Sequence, residues 1–124
     1  MIVTVPLHEI AHGRAGDKGN RCNISVIAFT PGAYPFLLEQ VTAVRVHAFF
    51  AYRGAGAVTR YELPRLGALN LVIDDVLEGG VNGSLNLDGH GKTLSFHLLS
   101  MTVEVPAELV ERSRVARGQA GQPA

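Results

Sequence analysis

Short apolar segments, each ended by proline or glycine, limit this chain to a fold of short strands and helices. Residues 24–29 have the composition of a strand that is buried on most of both faces, and Pro31 ends this strand. Residues 58–63 predict a further strand, which ends at Pro64 because proline lacks a backbone N–H donor. Glycine supplies 14 of the 124 residues, about 11% against a usual level of about 7%, so the positions of the glycines matter.

Two short helices are predicted between these strands. Residues 34–40 carry Pro35 in the first turn, where proline is tolerated. Residues 42–50 begin at Thr42, a favourable N-cap residue. Strands and short helices mixed in this order predict an α+β fold, with one sheet and helices packed on one of its faces.

A third helix is predicted over residues 69–77. Its apolar residues have the i, i+3, i+4, i+7, i+8 spacing of a buried helical stripe: Leu69, Val72, Ile73, Val76 and Leu77. Gly79 and Gly80 supply the end of this helix. Residues 94–101 fit a helix and a strand equally well, and residues 102–105 predict a strand.

The two ends of the chain differ in character. Residues 2–12 alternate in polarity, which predicts a strand, and Pro6 places that strand at a sheet edge or starts it later. From about Arg112 onward the chain is small, polar and aperiodic. We therefore expect one domain over residues 1–106, followed by a partly disordered tail over residues 107–124.

Composition and charge argue against several classes of protein. Eleven Lys and Arg residues balance eleven Asp and Glu residues, which disfavours nucleic-acid binding. The single cysteine, Cys22, excludes an internal disulfide and a Cys-based zinc ribbon. No apolar stretch approaches the ~18 residues of a membrane span, and the first residues do not read as a signal peptide. We expect a cytoplasmic protein with no membrane partner.

Two short motifs match known sites but lack the structure that those sites need. Residues 8–12, His-Glu-Ile-Ala-His, match a zinc-binding helix motif, yet their surroundings predict extended backbone. On a strand the two histidines would lie about 13 Å apart, whereas two ligands of one zinc ion lie within about 4 Å of each other. Gly91-Lys92-Thr93 matches the end of a phosphate-binding loop, but Asn86 stands where the first glycine of that loop belongs. We therefore predict neither a metal site nor a cofactor.

Residues 13–21 predict a polar loop interrupted by glycines. The segment over residues 12–20, His-Gly-Arg-Ala-Gly-Asp-Lys-Gly-Asn, is the strongest candidate site. Its glycines would let backbone N–H groups turn toward a bound oxyanion, and Arg14 and Lys18 would neutralise that anion. The alternative is a wide hairpin loop in which the glycines supply positive φ and the charged groups are solvated.

The two lysines of the chain favour the functional interpretation. Lys18 and Lys92 both stand in glycine-rich turns that contain an aspartate, Asp17 or Asp88, whereas other positive positions use arginine. Asn23 and Asn70 could add hydrogen bonds to the same site or could cap their own elements. Whether the two turns meet in space stays open at this point.

Residues 10–20 and 23–28 resemble the first segment of the AtuA-like domain, the small C-terminal domain of the acyclic terpene utilisation (AtuA) family. The resemblance extends from about residue 7 to residue 105, and its most specific part is Arg-x-Gly-Asp-Lys-Gly at residues 14–19. Ala15 departs from the pattern, which more often has serine there.

The resemblance implies a ferredoxin-like α+β sandwich with a mostly antiparallel sheet. In longer relatives this domain follows a large N-terminal domain, and elsewhere the two parts are separate chains, so we expect this sequence to be the small part. The family is associated with bacterial breakdown of branched isoprenoid acids, which proceeds through acyl-CoA thioesters. The resemblance assigns no reaction.

We expect a small subunit that binds a larger AtuA-type partner, or its own copies, and completes a site for an acyl-CoA or carboxylate ligand. The expected ligand-binding residues are Arg14, Gly16, Asp17, Lys18, Gly19, Asn20, Asn23, Asn70, Asp88 and Lys92. His12 or His90 is the candidate proton carrier, since histidine changes its charge near neutral pH.

Two alternatives remain at the level of sequence. The chain could be a non-catalytic interaction module that stabilises the larger partner through an apolar surface. It could also be an enzyme by itself, although no complete nucleophile–base set is readable in the sequence.

Overall fold

The computed structural model describes residues 1–18, 21–51, 56–74 and 95–121. Within these ranges the strands are β1 (Ile2–Pro6), β2 (Ala11–Lys18), β3 (Arg21–Ala28), β4 (Val58–Leu63), β5 (Ala68–Ile73) and β6 (Thr102–Pro106). The helices are α1 (Tyr34–Gln40), α2 (Ala43–Phe49), α3 (residues 95–99) and α4 (Ala107–Gly121). Short 3-10 turns occupy Leu7–Glu9, Pro31–Ala33 and Pro64–Leu66.

The strands form two antiparallel sheets. Four of them make one sheet in the order β2-β3-β5-β4, while β1 pairs with β6 in a separate two-stranded sheet. Helices and antiparallel strands together confirm the predicted α+β class. The sheet that we expected is the four-stranded one, and the β1–β6 ribbon is an addition to it.

The core lies between the helices and one face of the four-stranded sheet. Alternation along β3 and β5 turns six side chains to this face, namely Cys22, Ile24, Val26, Leu69, Leu71 and Ile73. All six are buried in one cluster with Leu37 of α1, Val46 of α2, Leu98 of α3 and Leu109 of α4. Burial of side chains of this size stabilises a fold by about 1.5–3 kcal/mol each. The opposite face of the sheet is left for the solvent-exposed groups described below.

Several predicted elements are confirmed. The predicted strands over residues 24–29 and 58–63 correspond to β3 and β4, and α1 covers the predicted residues 34–40. Thr42 caps α2 as expected, since its Oγ1 accepts a hydrogen bond of 3.1 Å from the backbone N–H of Arg45. Residues 95–99, which fit both structures in the sequence, are helical.

The predicted helix over residues 69–77 is wrong, because residues 68–73 form the central strand β5. Leu69, Leu71 and Ile73 alternate toward the core, and Val72 is half-buried on the other face. A central strand with apolar residues on both faces contains helical spacings by coincidence. Residues 75–80, which include the predicted end of that helix, lie outside the described residues.

The predicted loop between residues 13 and 21 is also wrong, because β2 runs through Lys18 and β3 begins at Arg21. Gly13 and Gly16 are therefore strand residues, and neither has a positive φ. A Cβ atom at Gly13 would lie 2.7 Å from the Ser95 hydroxyl oxygen. The missing side chain lets α3 pack closely against β2.

The end of the chain differs from the predicted polar tail. Residues 107–121 form α4, and Leu109, Val110 and Ser113 on this helix are buried. The three buried positions are too few to produce a long apolar periodicity in the sequence. Likewise, β1 ends at Pro6 and gives way to a 3-10 turn, so the extended segment is shorter than residues 2–12.

Candidate functional site

The face of the four-stranded sheet opposite the helices carries a row of polar side chains. The antiparallel register places Arg14 of β2 opposite Ser25 of β3, Ser25 opposite Asn70 of β5, and Asn70 opposite Tyr61 of β4. We call these four residues the polar row. Because neighbouring strands lie about 4.8 Å apart, the row spans about 14 Å of sheet surface.

The polar row is accessible and is partly fixed by its own hydrogen bond. The Asn70 side-chain amide donates to the Ser25 hydroxyl at 2.9 Å. Tyr61 is 54% exposed, and Arg14 is exposed at the other end of the row. The row therefore offers solvent a guanidinium group, an amide and two hydroxyl groups, of which the Asn70 amide and the Ser25 hydroxyl hold each other in place.

Gly16 and Asn23 extend this surface by one position along the strands. The two residues are opposite each other in the β2–β3 register, and Asn23 is exposed. A Cβ atom at Gly16 would lie 3.3 Å from the Asn23 side-chain nitrogen. The bare backbone at Gly16 thus leaves room for the Asn23 amide beside Arg14.

His12 lies on the same face, two residues before Arg14, which corresponds to about 7 Å along the strand. Its exposed imidazole stacks on the ring of Phe29, with the ring centroids 5.3 Å apart. The guanidinium of Arg117 lies 5.8 Å from the centre of the same Phe29 ring. Phe29 therefore holds His12 in a defined orientation at the border of the polar row.

The electrostatics of this face are set by which cations are paired. Arg21, at the start of β3 on this face, binds Asp74 at 2.6 Å, and on the helix side of the sheet Arg60 of β4 binds Glu62 at 3.0 Å. Arg14 has no acidic partner among the residues that the structure describes. An anion that reached the polar row would meet this guanidinium group without competition from a described carboxylate.

A cavity of about 400 Å³ adjoins the same strand at the edge of the sheet. It is lined by Gly13, Arg14, Ala15, Ser95 and Phe96. Phe96 is 71% exposed and supplies an apolar wall, while Ser95 is 5% exposed. The part of β2 around Arg14 is therefore bordered by an open face on one side and by a concave surface on the other.

The structure brings five of the twelve predicted site residues to one surface. On the open face lie His12, Arg14, Gly16, Asn23 and Asn70. Asp17 and Lys18 belong to β2, opposite Cys22 and Arg21 in the register. The other predicted site residues lie outside the described residues: Gly19, Asn20, Asp88, His90 and Lys92. The structure therefore does not describe whether the turns around Lys18 and Lys92 meet.

Two features of the polar row were missed in the sequence. Ser25 and Tyr61 stand within correctly predicted strands, and the alternation of those strands puts both on the face opposite the core. The proposed capping role of Asn23 and Asn70 is wrong, since both lie inside strands. Asn23, Ser25 and Asn70 alternate with apolar neighbours along their strands, and this alternation was the signal that could have placed them on one face.

The zinc-motif residues do not share a helix. His8 and Glu9 lie in the 3-10 turn, and His12 is the second residue of β2. Across the described residues, no three side chains from histidine, cysteine, aspartate or glutamate are grouped as metal ligands would be. In the same part of the chain, no helix is both long and apolar enough to cross a membrane.

The comparisons with known proteins identify the family of the chain. A family model described as the AtuA ferredoxin-like domain matches residues 5–104. This match covers β2 to β5 in full, residues 5–6 of β1 and residues 102–104 of β6, and it stops before α4. No curated protein and no solved structure matches the chain significantly. The sequence match and the α+β architecture together show that the chain belongs to the AtuA ferredoxin-like domain family.

Proposed function

We propose that the open sheet face of this chain binds the anionic group of an acyl-CoA or carboxylate ligand, as the small part of an AtuA-type assembly. The observation that carries this proposal is the placement of Arg14, which stands in the polar row without a described acidic partner. A guanidinium group binds a carboxylate or phosphate through two parallel N–H donors.

The neighbouring side chains suit the same ligand. The Asn23 amide and the Tyr61 hydroxyl can donate further hydrogen bonds, and Asn70 is held in place by its bond to Ser25. Phe96 lies on the helix side of β2 and would contact an apolar part of a ligand that extends from Arg14 over the edge of the sheet. His12 lies within reach of a group bound between Arg14 and Phe29 and is the candidate proton carrier.

An open sheet face needs a second surface to become an enclosed site. Small-molecule sites are concave and bury most of the ligand, whereas the polar row lies on an exposed sheet. A larger AtuA-type partner would provide the missing wall and exclude water, which strengthens the contact between Arg14 and an anion. A second copy of the chain is the other way to cover this face.

The ligand role of Arg14 is tested by calorimetry with acyl-CoA esters, using the chain alone and in complex with a larger AtuA-type partner. Arg14→Gln should weaken binding about tenfold or more, because a hydrogen bond to a charged group contributes about 1.5–3 kcal/mol. Arg112→Gln is the matched control, since Arg112 is exposed on α4 and makes no ion pair with a described residue. Equal affinity of the two variants would refute the proposal.

A second candidate function is that of an interaction module without a ligand of its own. Tyr61 and Leu63, on the same face of β4, are 54% and 37% exposed, and such side chains favour a protein interface. In that case Tyr61→Ser with Leu63→Ser abolishes the complex, whereas Arg14→Gln leaves both the complex and its response to acyl-CoA esters unchanged. Size-exclusion chromatography and calorimetry with acyl-CoA esters on the same samples distinguish the two functions.

A further inference from the structure

A separate cavity of about 320 Å³ lies at the end of the sheet where β3 finishes and β5 begins. Its walls are residues 28–31 and 64–67, together with Tyr34 at the start of α1. The volume lies at the lower end of the ~300–1,000 Å³ range that small-molecule sites occupy. The size of this cavity, which we call the Arg65 cavity, suits a compact ligand.

The walls of the Arg65 cavity combine apolar surface with one positive charge. The apolar surface comes from Phe29, Pro31, Pro64 and Leu66. Arg65 is exposed and makes no ion pair or side-chain hydrogen bond with any residue that the structure describes. A ligand matched to these walls carries a single anionic group on an apolar body.

Two hydroxyl groups of the lining residues lack hydrogen-bond partners. Thr30 Oγ1 and Tyr34 Oη are buried, and neither is bonded to a described residue. Buried polar atoms in folded proteins are nearly always hydrogen-bonded, so an unpaired hydroxyl group calls for a missing partner. Neither oxygen atom has accessible surface, so a carboxylate in the cavity would accept a hydrogen bond from either hydroxyl group once that side chain turned toward it.

The backbone on one side of the cavity is held by hydrogen bonds before any ligand arrives. The backbone N–H of Ala28 donates to the Gly67 carbonyl at 2.9 Å, and the Gly67 N–H donates to the Pro64 carbonyl at 3.1 Å. Gly67 adopts a φ of 60°, which glycine tolerates and other residues rarely adopt. Phe29 is held by its contact with His12. A preformed site loses little conformational entropy on binding.

We propose that the Arg65 cavity binds a small monocarboxylate with a compact apolar body, as a site separate from the polar row. Ala28 lies three residues beyond Ser25 on β3, which places the cavity about 10 Å from the row. The cation differs as well, since Arg65 serves the cavity and Arg14 serves the row. The two proposals can therefore fail independently.

Benzoate is the probe for this site, and binding is followed by amide chemical shifts of the isotope-labelled full chain. We expect saturable shifts at residues 28–31 and 64–67. Benzamide has the same shape without the charge, and its affinity should be lower than that of benzoate by a factor of about ten or more. The same loss is expected for acetate, which lacks the apolar body. Absence of saturable shifts at these residues would overturn the proposal.

Two variants, Arg65→Gln and Tyr34→Phe, test whether these residues contact the ligand or only support the structure. Arg65→Gln should lose benzoate binding about tenfold or more, whereas Arg112→Gln and Arg14→Gln should retain it. Tyr34→Phe should weaken benzoate binding while leaving the melting temperature of the ligand-free protein unchanged or higher, because it removes an unpaired hydroxyl group. Benzoate affinity that is unchanged in Arg65→Gln, or lost in Arg14→Gln, would contradict the assignment.

Discussion

Gly13 shows how a single residue sets the distance between two elements. Its position on β2 faces α3, where a Cβ atom would lie 2.7 Å from the Ser95 hydroxyl oxygen and 3.3 Å from a methyl carbon of Leu99. Ser95 and Leu99 are both buried, so neither can move without disturbing its neighbours. Glycine is needed here because of packing, and its freedom to adopt positive φ plays no part.

Gly13→Ala is therefore expected to destabilise the protein by about 1–3 kcal/mol through overpacking. Gly118→Ala on α4 is the control, because a Cβ atom there meets nothing within 4 Å and alanine favours a helix by about 1 kcal/mol over glycine. Urea denaturation of both variants gives the free energies of unfolding. If Gly13→Ala is as stable as the parent, the close contact between α3 and β2 is not real.

The sequence could indicate which residue types form the candidate site, but not the register that assembles them. Arg14, Asn23 and Asn70 stand out as polar residues near glycines or at segment starts. Their common surface depends on the pairing of β3 with β5, which joins Ser25 to Asn70, 45 residues apart in the sequence. Strand pairing of this kind is decided by tertiary packing and is not encoded in a local pattern.

At the scale of the elements, α1 packs against the core and also covers the outer edge of β6. The Gln40 side chain donates to the Glu104 carbonyl and accepts from the Glu104 N–H, both at 2.7 Å. Arg45 of α2 donates to the Thr102 carbonyl of the same strand at 3.0 Å. A covered edge cannot pair with a strand of another molecule.

Gln40→Ala is expected to destabilise the protein by about 1–2 kcal/mol, because two hydrogen bonds are lost at a partly exposed position. The Glu104 amide should exchange with solvent faster in this variant, as measured by hydrogen exchange. Glu39→Ala, at the exposed neighbouring position on α1, should leave the exchange rate unchanged. Slow exchange retained in Gln40→Ala would show that another group covers the edge.

The elements differ in how far the sequence could predict them. The helices α1 and α2 were predictable because Pro35 and Thr42 act within their own first turns. β5 was mistaken for a helix because it is a central strand, whose two apolar faces remove the alternation that marks a strand. β2 was mistaken for a loop because its glycines reflect contacts with α3 and Asn23, which the local sequence does not reveal.

At the scale of the whole molecule, α4 completes the core. Leu109 lies in the same buried cluster as the sheet residues and Leu37, and its methyl carbon lies 3.7 Å from the Cβ position of Gly32. The Arg117 side chain reaches back to the His8 carbonyl at 3.4 Å. The helix thus shields the two 3-10 turns that follow β1 and β3.

A chain that ends at Pro106 should consequently lose cooperative thermal unfolding, measured by circular dichroism. The point variant Leu109→Ala tests the same packing with less disruption, and we expect a loss of about 2–5 kcal/mol. Glu108→Ala, at an exposed position of α4, is the control. A truncated chain with the melting temperature of the full chain would show that α4 is dispensable.

The β1–β6 ribbon links parts of the chain that are far apart in sequence. It pairs Ile2 with Pro106 and Pro6 with Thr102, and the Ala107 N–H donates to the Met1 carbonyl at 2.9 Å. Closing so long a loop has a large entropic cost until the intervening chain is already compact. We therefore expect the ribbon to form late in folding, with residues 2–6 reaching their native positions after the four-stranded sheet has formed. A ribosome that is still synthesising residues 102–106 holds a chain whose first strand has no partner.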